Sequence, residues 1–134
     1  MPDAILLKPG PLDHAERSRI QLHPVVGADL LKGMKTLEAV RPIIRHHHER
    51  LDGSGYPDGL ASDAIPLGAR IMAVVDVYDA LVTTRSYKPA LPPADAIAIL
   101  RRETEGGAWD PHVLTAFLDL LRDAPTHHTR TVVP

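Results

Sequence analysis

The chain has 134 residues, 44% of them hydrophobic and 24% charged, with a formal net charge of −2 and no cysteine. That length suits one domain, able to bury roughly 65–70% of the surface its extended chain would expose. The charge balance excludes a basic footprint for nucleic-acid polymers, and the missing thiols exclude disulfides and thiolate metal sites, leaving His, Asp and Glu as donors. No apolar run reaches membrane-spanning length and residues 1–20 do not read as a signal peptide, so a cytoplasmic location is expected.

Residues 1–12 are expected to be extended or looped, because Pro2, Pro9, Gly10 and Pro11 break any helix. Asp13-x-x-Glu16 has the form of a capping box and starts a helix that carries Ile20. That helix ends near His23, since the residue before Pro24 is pushed out of helical geometry. Pro24 suits the first turn of a second helix, which carries Val25, Val26, Leu30 and Leu31 and stops at Gly33. A third helical stretch starts near Thr36, is interrupted or kinked at Pro42, and runs to about Glu49; residues 50–66 then form a long glycine-rich loop. Loops of that length inside a compact domain are usually functional or mobile.

The fourth helix, about Leu67 to Val82, is the clearest periodic element. Leu67, Ile71, Val74, Val75, Tyr78 and Val82 make one apolar face, while Ala69, Ala73, Asp76 and Ala80 make a small-residue face with a single carboxylate. Small neighbours let a helix or ligand come close, so Asp76 is placed for contact; its rival role is a surface pair with Arg70 or Arg85. Pro89, Pro92 and Pro93 separate a fifth helix, about 93–103, and Gly106-Gly107 makes the next turn. Asp110 caps a sixth helix with Pro111 at its first position and Val113, Leu114, Phe117, Leu118 and Leu121 as its stripe. A domain over 1–122 is thus followed by a loose tail over 123–134. With no strand pattern in competition, the fold class is all-α, an irregular helical bundle of about six helices.

The chain is organised around residues 46–59, where an apolar helical run ends in His46-His47-His48-Glu49 and three glycines and a proline follow within eight residues. Ile43 and Ile44 lie one turn before His47 and His48, so those imidazoles continue the buried stripe, while His46 points away toward water. An imidazole on a core-facing stripe has to be hydrogen-bonded or ligated, and a metal is one way to satisfy both. Glu49 is read as a partner of a histidine or of Arg50 rather than as a general base.

The stretch His47-His48-Glu49-x-x-Asp52-Gly53-x-Gly55-Tyr56-Pro57 resembles the signature of the HD-GYP domains, bacterial phosphodiesterases of cyclic di-GMP. The resemblance takes in Pro2-Asp3, Lys8-Pro9-Gly10, His23-Pro24-x-x-Gly27, Pro66-Leu67-x-Ala69-Arg70-Ile71, Asp76-x-Tyr78-Asp79-Ala80-Leu81, Arg85-x-Tyr87-Lys88 and Gly107-x-Trp109-Asp110-Pro111, with Trp where the family usually has Phe. The His-Asp doublet of the family, with the lysine that follows it, would stand just before Met1 and is not in this sequence. Met1 sits at an internal methionine position of the pattern, so an upstream start or a trimmed chain is expected.

The resemblance implies that His23, His47 and His48 are ligands of one metal and that Asp76 is a carboxylate ligand of the neighbouring one. Iron or manganese is the implied metal, with zinc or nickel as alternatives. The missing doublet supplies the bridging aspartate that holds two cations about 3.5–4 Å apart in such sites, so one ion is favoured over two. Arg85 and Lys88 match positions that contact the substrate phosphates, and Tyr56 borders the cleft. The loop Gly55-Tyr56-Pro57 is linked in the family to substrate access and to GGDEF-type diguanylate cyclase partners. The implied activity is hydrolysis of cyclic di-GMP to linear pGpG, with GMP as a possible further product, crippled here by the absent bridge. The rival is a degenerate module that binds a metal, the nucleotide or a protein without turnover. Uncovered apolar faces on helices two to four lead to an expected homodimer or domain-swapped assembly.

Overall fold

The computed structural model describes residues 10–84, 88–124 and 130–131. Expectations for residues 1–9, for Arg85 and for most of the tail fall outside the described residues. Helix α1, His14–Gln21, opens on the capping box: the Glu16 amide donates to Asp13 Oδ1 at 2.8 Å and the Asp13 amide to Glu16 Oε2 at 2.9 Å. Leu22 alone separates it from α2, His23–Leu30, with Pro24 in the first turn where no amide is missed.

The expected third helix divides. Lys35–Leu37 is a single 3-10 turn, and α3 is only Arg41–His46, with Pro42 in its first turn. Proline is accepted there and not in a helix interior, so the chain restarts the helix instead of bending it. A 3-10 turn at Ser62–Ala64 leads to α4, Leu67–Val82, then α5, Pro93–Glu105, and α6, Pro111–Asp123. Asp110 caps α6 by accepting from the His112 and Val113 amides. One departure from an all-helical reading is small: β1, Thr83–Thr84, pairs in parallel with β2, Arg130–Thr131, inside the segment expected to be loose.

The core lies among α4, α5 and α6, around Val74, Tyr78, Ala96, Leu100, Trp109 and Leu114. Tyr78 meets Phe117 edge-on with ring centres 5.2 Å apart. Arg70 on α4 reaches Asp110 at 2.7 Å and the Ile65 carbonyl at 3.1 Å, tying the start of α4 to the start of α6. The face of α4 that enters the core differs from the one its apolar period indicates. Ala69 and Ala73 are buried with Val74 and Tyr78, whereas Leu67, Ile71 and Val75 stay exposed. Small side chains win the buried positions because they let neighbouring backbones approach.

Helix α3 sits between two glycines. A Cβ on Gly27 of α2 would stand 3.1 Å from Ile44 Cγ2, and one on Gly68 of α4 would stand 2.6 Å from Ile43 Cδ1. Both neighbours lie close against the isoleucines at positions where they carry no side chain.

Candidate metal centre

Helix α3 stops at His46; His47 is its C-cap, with φ −70° and ψ −9°, and His48 follows in a turn. His47 Nδ1 donates to the Ile44 carbonyl at 2.6 Å, which makes Nε2 the nitrogen with the free lone pair. Nε2 lies 4.0 Å from Asp76 Oδ2 on α4, whose side chain is 52% exposed. His47, His48 and Asp76 each bring one ligand atom, all within 4.8 Å of one another. Metal bonds of about 2.1 Å let two donors of one ion stand up to about 4.2 Å apart, so the set fits a single divalent cation after slight closure. A backbone carbonyl behind the ring of a ligating histidine is the usual orienting partner.

The His47 and His48 rings have centres 4.1 Å apart, and His48 stacks on Tyr56 at 5.1 Å. Burial, and then the neighbouring His47, lower the pKa of His48 to about 4. At neutral pH it is therefore an uncharged imidazole able to offer a lone pair. Burial pushes the Tyr56 phenol upward, so it stays protonated. Together with Arg50 and Trp109 these residues line a cavity of about 350 Å³, with the small side chains of Ala73 and Ala80 beside Asp76.

Not every expected site residue arrives there. His23 is the exposed first residue of α2 and is not in the group of converging ligand atoms. Lys88 directs Nζ to the carbonyls of Leu81, Thr83 and Pro89 at 3.2–3.3 Å and does not line the cavity. Arg85 lies outside the described residues.

The loop after the histidines is folded back on them. Gly55 presses against the backbone of 48–50: a Cβ there would stand 2.5 Å from Glu49 Cα and the His48 carbonyl oxygen, and closer still to the Arg50 nitrogen. The Tyr56 amide donates to the His48 carbonyl at 3.3 Å, just before a cis Tyr56–Pro57 bond. Glu49, expected to serve a histidine or Arg50, stands beside His46 and also accepts from the Asp58 amide at 2.8 Å and the Leu60 amide at 3.1 Å, its side chain fully buried. His46, expected to be wet, is only 15% exposed and lies 3.6 Å from Glu49 Oε1 and 3.5 Å from Asp58 Oδ2. Arg45 grips Asp58 with two hydrogen bonds of 2.9 and 3.1 Å and holds its carboxyl below the usual carboxylate range. His46, Glu49 and Asp58 are also close enough to surround an ion. Their carboxylates already have donors, so this second group braces the loop.

Sequence reasoning missed Arg50 and Trp109 as cavity residues. Arg50 stands at an unspecified position of the motif, and Trp109 matches an aromatic position of the family pattern to which no site role was attached.

The profile of the family described as "HD domain" matches residues 1–113. The chain is 46% identical to the cyclic di-GMP phosphodiesterase response regulator RpfG of Xanthomonas campestris pv. campestris, over 88% of this chain and 32% of that protein. It is 46% identical to the cyclic di-GMP phosphodiesterase PA4108 of Pseudomonas aeruginosa, over 88% of this chain and 28% of the relative. The 3'3'-cGAMP-specific phosphodiesterase 3 of Vibrio cholerae is 37% identical over 96% of this chain and 28% of its own length. The chain thus spans about a third or less of these curated relatives. Among solved structures, Bd1817, an HDG"Y"P protein of Bdellovibrio bacteriovorus, shares the fold with a TM-score of 0.66 and 22% identity, over 83% of this chain and 35% of that one.

Proposed function

Because this chain belongs to the HD-domain family, in its HD-GYP branch, we propose that it is a metal-dependent phosphohydrolase domain acting on cyclic di-GMP to give linear pGpG. The observation that carries the reading is the convergence of His47, His48 and Asp76 on one cavity. Iron or manganese is the proposed ion, and His23 is the proposed further ligand, on the motif alone. A divalent cation held there supplies Lewis acidity at a phosphoryl oxygen and a water acidic enough to attack.

The chain's own residues do the positioning. The Ile44 carbonyl holds the His47 ring with Nε2 toward Asp76, and Tyr56 backs the His48 ring. Ala73 and Ala80 leave room beside Asp76 for a nucleotide phosphate. Arg85 and Lys88 belong to the proposal as phosphate contacts, on the motif alone. The Gly55-Tyr56-Pro57 loop is the proposed meeting point with a diguanylate cyclase, supported by the brace that presents it as a fixed surface. A cytoplasmic location is part of the reading and rests on the relatives, one of them a response regulator by name. A second copy of the chain is the proposed cover for exposed Leu67, Ile71 and Val75; light scattering showing a clean monomer at micromolar concentration would refute that element.

A second reading, metal and nucleotide binding without turnover, is favoured by the donors that meet among the described residues: two imidazoles and one carboxylate suffice for one ion, not a bridged pair. Metal analysis and product chromatography with cyclic di-GMP separate the two. Linear product that disappears in His47→Ala supports the hydrolase, and bound nucleotide without product supports the module. A chain that retains no metal after incubation with manganese or iron refutes both.

A further inference from the structure

We propose that Arg50 is a substrate-positioning residue whose guanidinium fork grips a phosphate of the cyclic dinucleotide; the assignment rests on the function proposed above. Its place in the chain is tightly held. Gly55 packs on its backbone nitrogen, and the next amide, Leu51 N–H, donates to the Ala108 carbonyl at 2.9 Å. The guanidinium carbon lies 4.9 Å from the centre of the Trp109 ring. That ring is itself fixed, since its N–H donates to Glu103 at 2.8 Å. Cation–π attraction holds a guanidinium over a ring without using up its N–H donors.

Among the described residues those donors meet no acceptor. Arg50 Nε is buried without an acceptor, and no described residue accepts a hydrogen bond from the Arg50 side chain. The other half-buried arginines differ: Arg41 has the Ala28 carbonyl and Glu38, Arg45 has Asp58, and Arg70 has the Ile65 carbonyl and Asp110. A covered N–H is rarely left unsatisfied unless a ligand completes it. Arg50 also lines the same cavity as His47, His48 and Asp76, and among the described residues it is the cation there.

Phosphate is the acceptor that best matches a planar fork, because two of its oxygens take two parallel N–H bonds. Arg45 already makes such a pair with the Asp58 carboxylate through Nε and one terminal nitrogen. The same fork at Arg50 would give its Nε the acceptor it lacks. A base edge is the other planar acceptor, and it differs in depending on the identity of the base.

The test uses the full manganese-loaded chain and hydrolysis-resistant analogues of cyclic di-GMP and 3'3'-cGAMP in which a methylene replaces a bridging oxygen, so that both non-bridging phosphate oxygens remain, with affinity read by calorimetry. Arg50→Gln should weaken both ligands by the same factor, about tenfold or more, and Arg50→Lys should recover part of the loss through its charge. Metal content and the far-ultraviolet spectrum should not change. Unaltered affinity in Arg50→Gln overturns the assignment alone. A loss confined to cyclic di-GMP overturns the phosphate contact in favour of a guanine edge, and a parallel loss of metal overturns it in favour of a structural role. A parent chain that binds neither analogue brings down the functional reading, and this assignment with it.

Discussion

Replacing Glu49 by glutamine isolates the brace beneath the histidines. Both Glu49 oxygens accept backbone N–H groups, from Asp58 at 2.8 Å and Leu60 at 3.1 Å, and the side chain is fully buried. Glutamine keeps the shape, but one end becomes a donor, so whichever way it turns an N–H faces an N–H. One charge-assisted bond is lost, a loss of roughly 2–3 kcal/mol once the unpaired amide is included. For a domain of this size that corresponds to a fall in Tm of roughly 6–10 °C if the effect is global. If only the loop opens, exchange at the Asp58 and Leu60 amides should speed up by roughly 30- to 150-fold. Amide exchange by NMR reads the two sites, and urea unfolding followed by Trp109, the single tryptophan, reads the whole. Unchanged protection at both amides would refute the argument that Glu49 anchors the loop.

His47→Ala should leave the chain folded but lower its retained manganese or iron from about one equivalent to background after gel filtration, as elemental analysis would show. Arg70→Met removes the partner of a buried carboxylate and should destabilise by roughly 3 kcal/mol in urea titrations, more than Asp110→Asn. Burial raises the pKa of Asp110, but Arg70 and the His112 and Val113 amides outweigh it and leave the group below its ordinary value. Its contribution is therefore present above the unfolded pKa of about 3.9 and lost as pH falls through the lower folded value. The gap in urea midpoint between parent and Asp110→Asn should hold from pH 7 to 5 and close below about pH 4. Leu100→Ala, at a position with no exposure, should lose roughly 2–5 kcal/mol by the same measurement.

The elements with local chemistry were readable without coordinates. Asp13 and Glu16, Pro24, and Asp110 with Pro111 mark helix starts through bonds made within a few residues, and each start stands where those residues put it. The neighbourhood of His47, His48 and Asp76 was legible from a motif whose residues lie close in space. What could not be read depends on which surfaces meet. The period of α4 marks Leu67, Ile71 and Val75 as an apolar stripe, but only packing decides that Ala69 and Ala73 go inside. The partners of Glu49 are amides nine and eleven residues on, set by how the loop closes. The stacking of Arg50 on Trp109 joins segments far apart in the chain, and no periodicity reports it.

Six residues of α3 are too few to hold a helix on their own. The platform under His47 therefore borrows its shape from two neighbours that touch it through Gly27 and Gly68. Grafting the histidine loop onto another scaffold would fail if it moved only residues 41–60. The graft must also carry both bare backbone patches, because a methyl at either would press on an isoleucine side chain of the platform and force it to give way. Positions outside the candidate metal centre thus shape the platform beneath it.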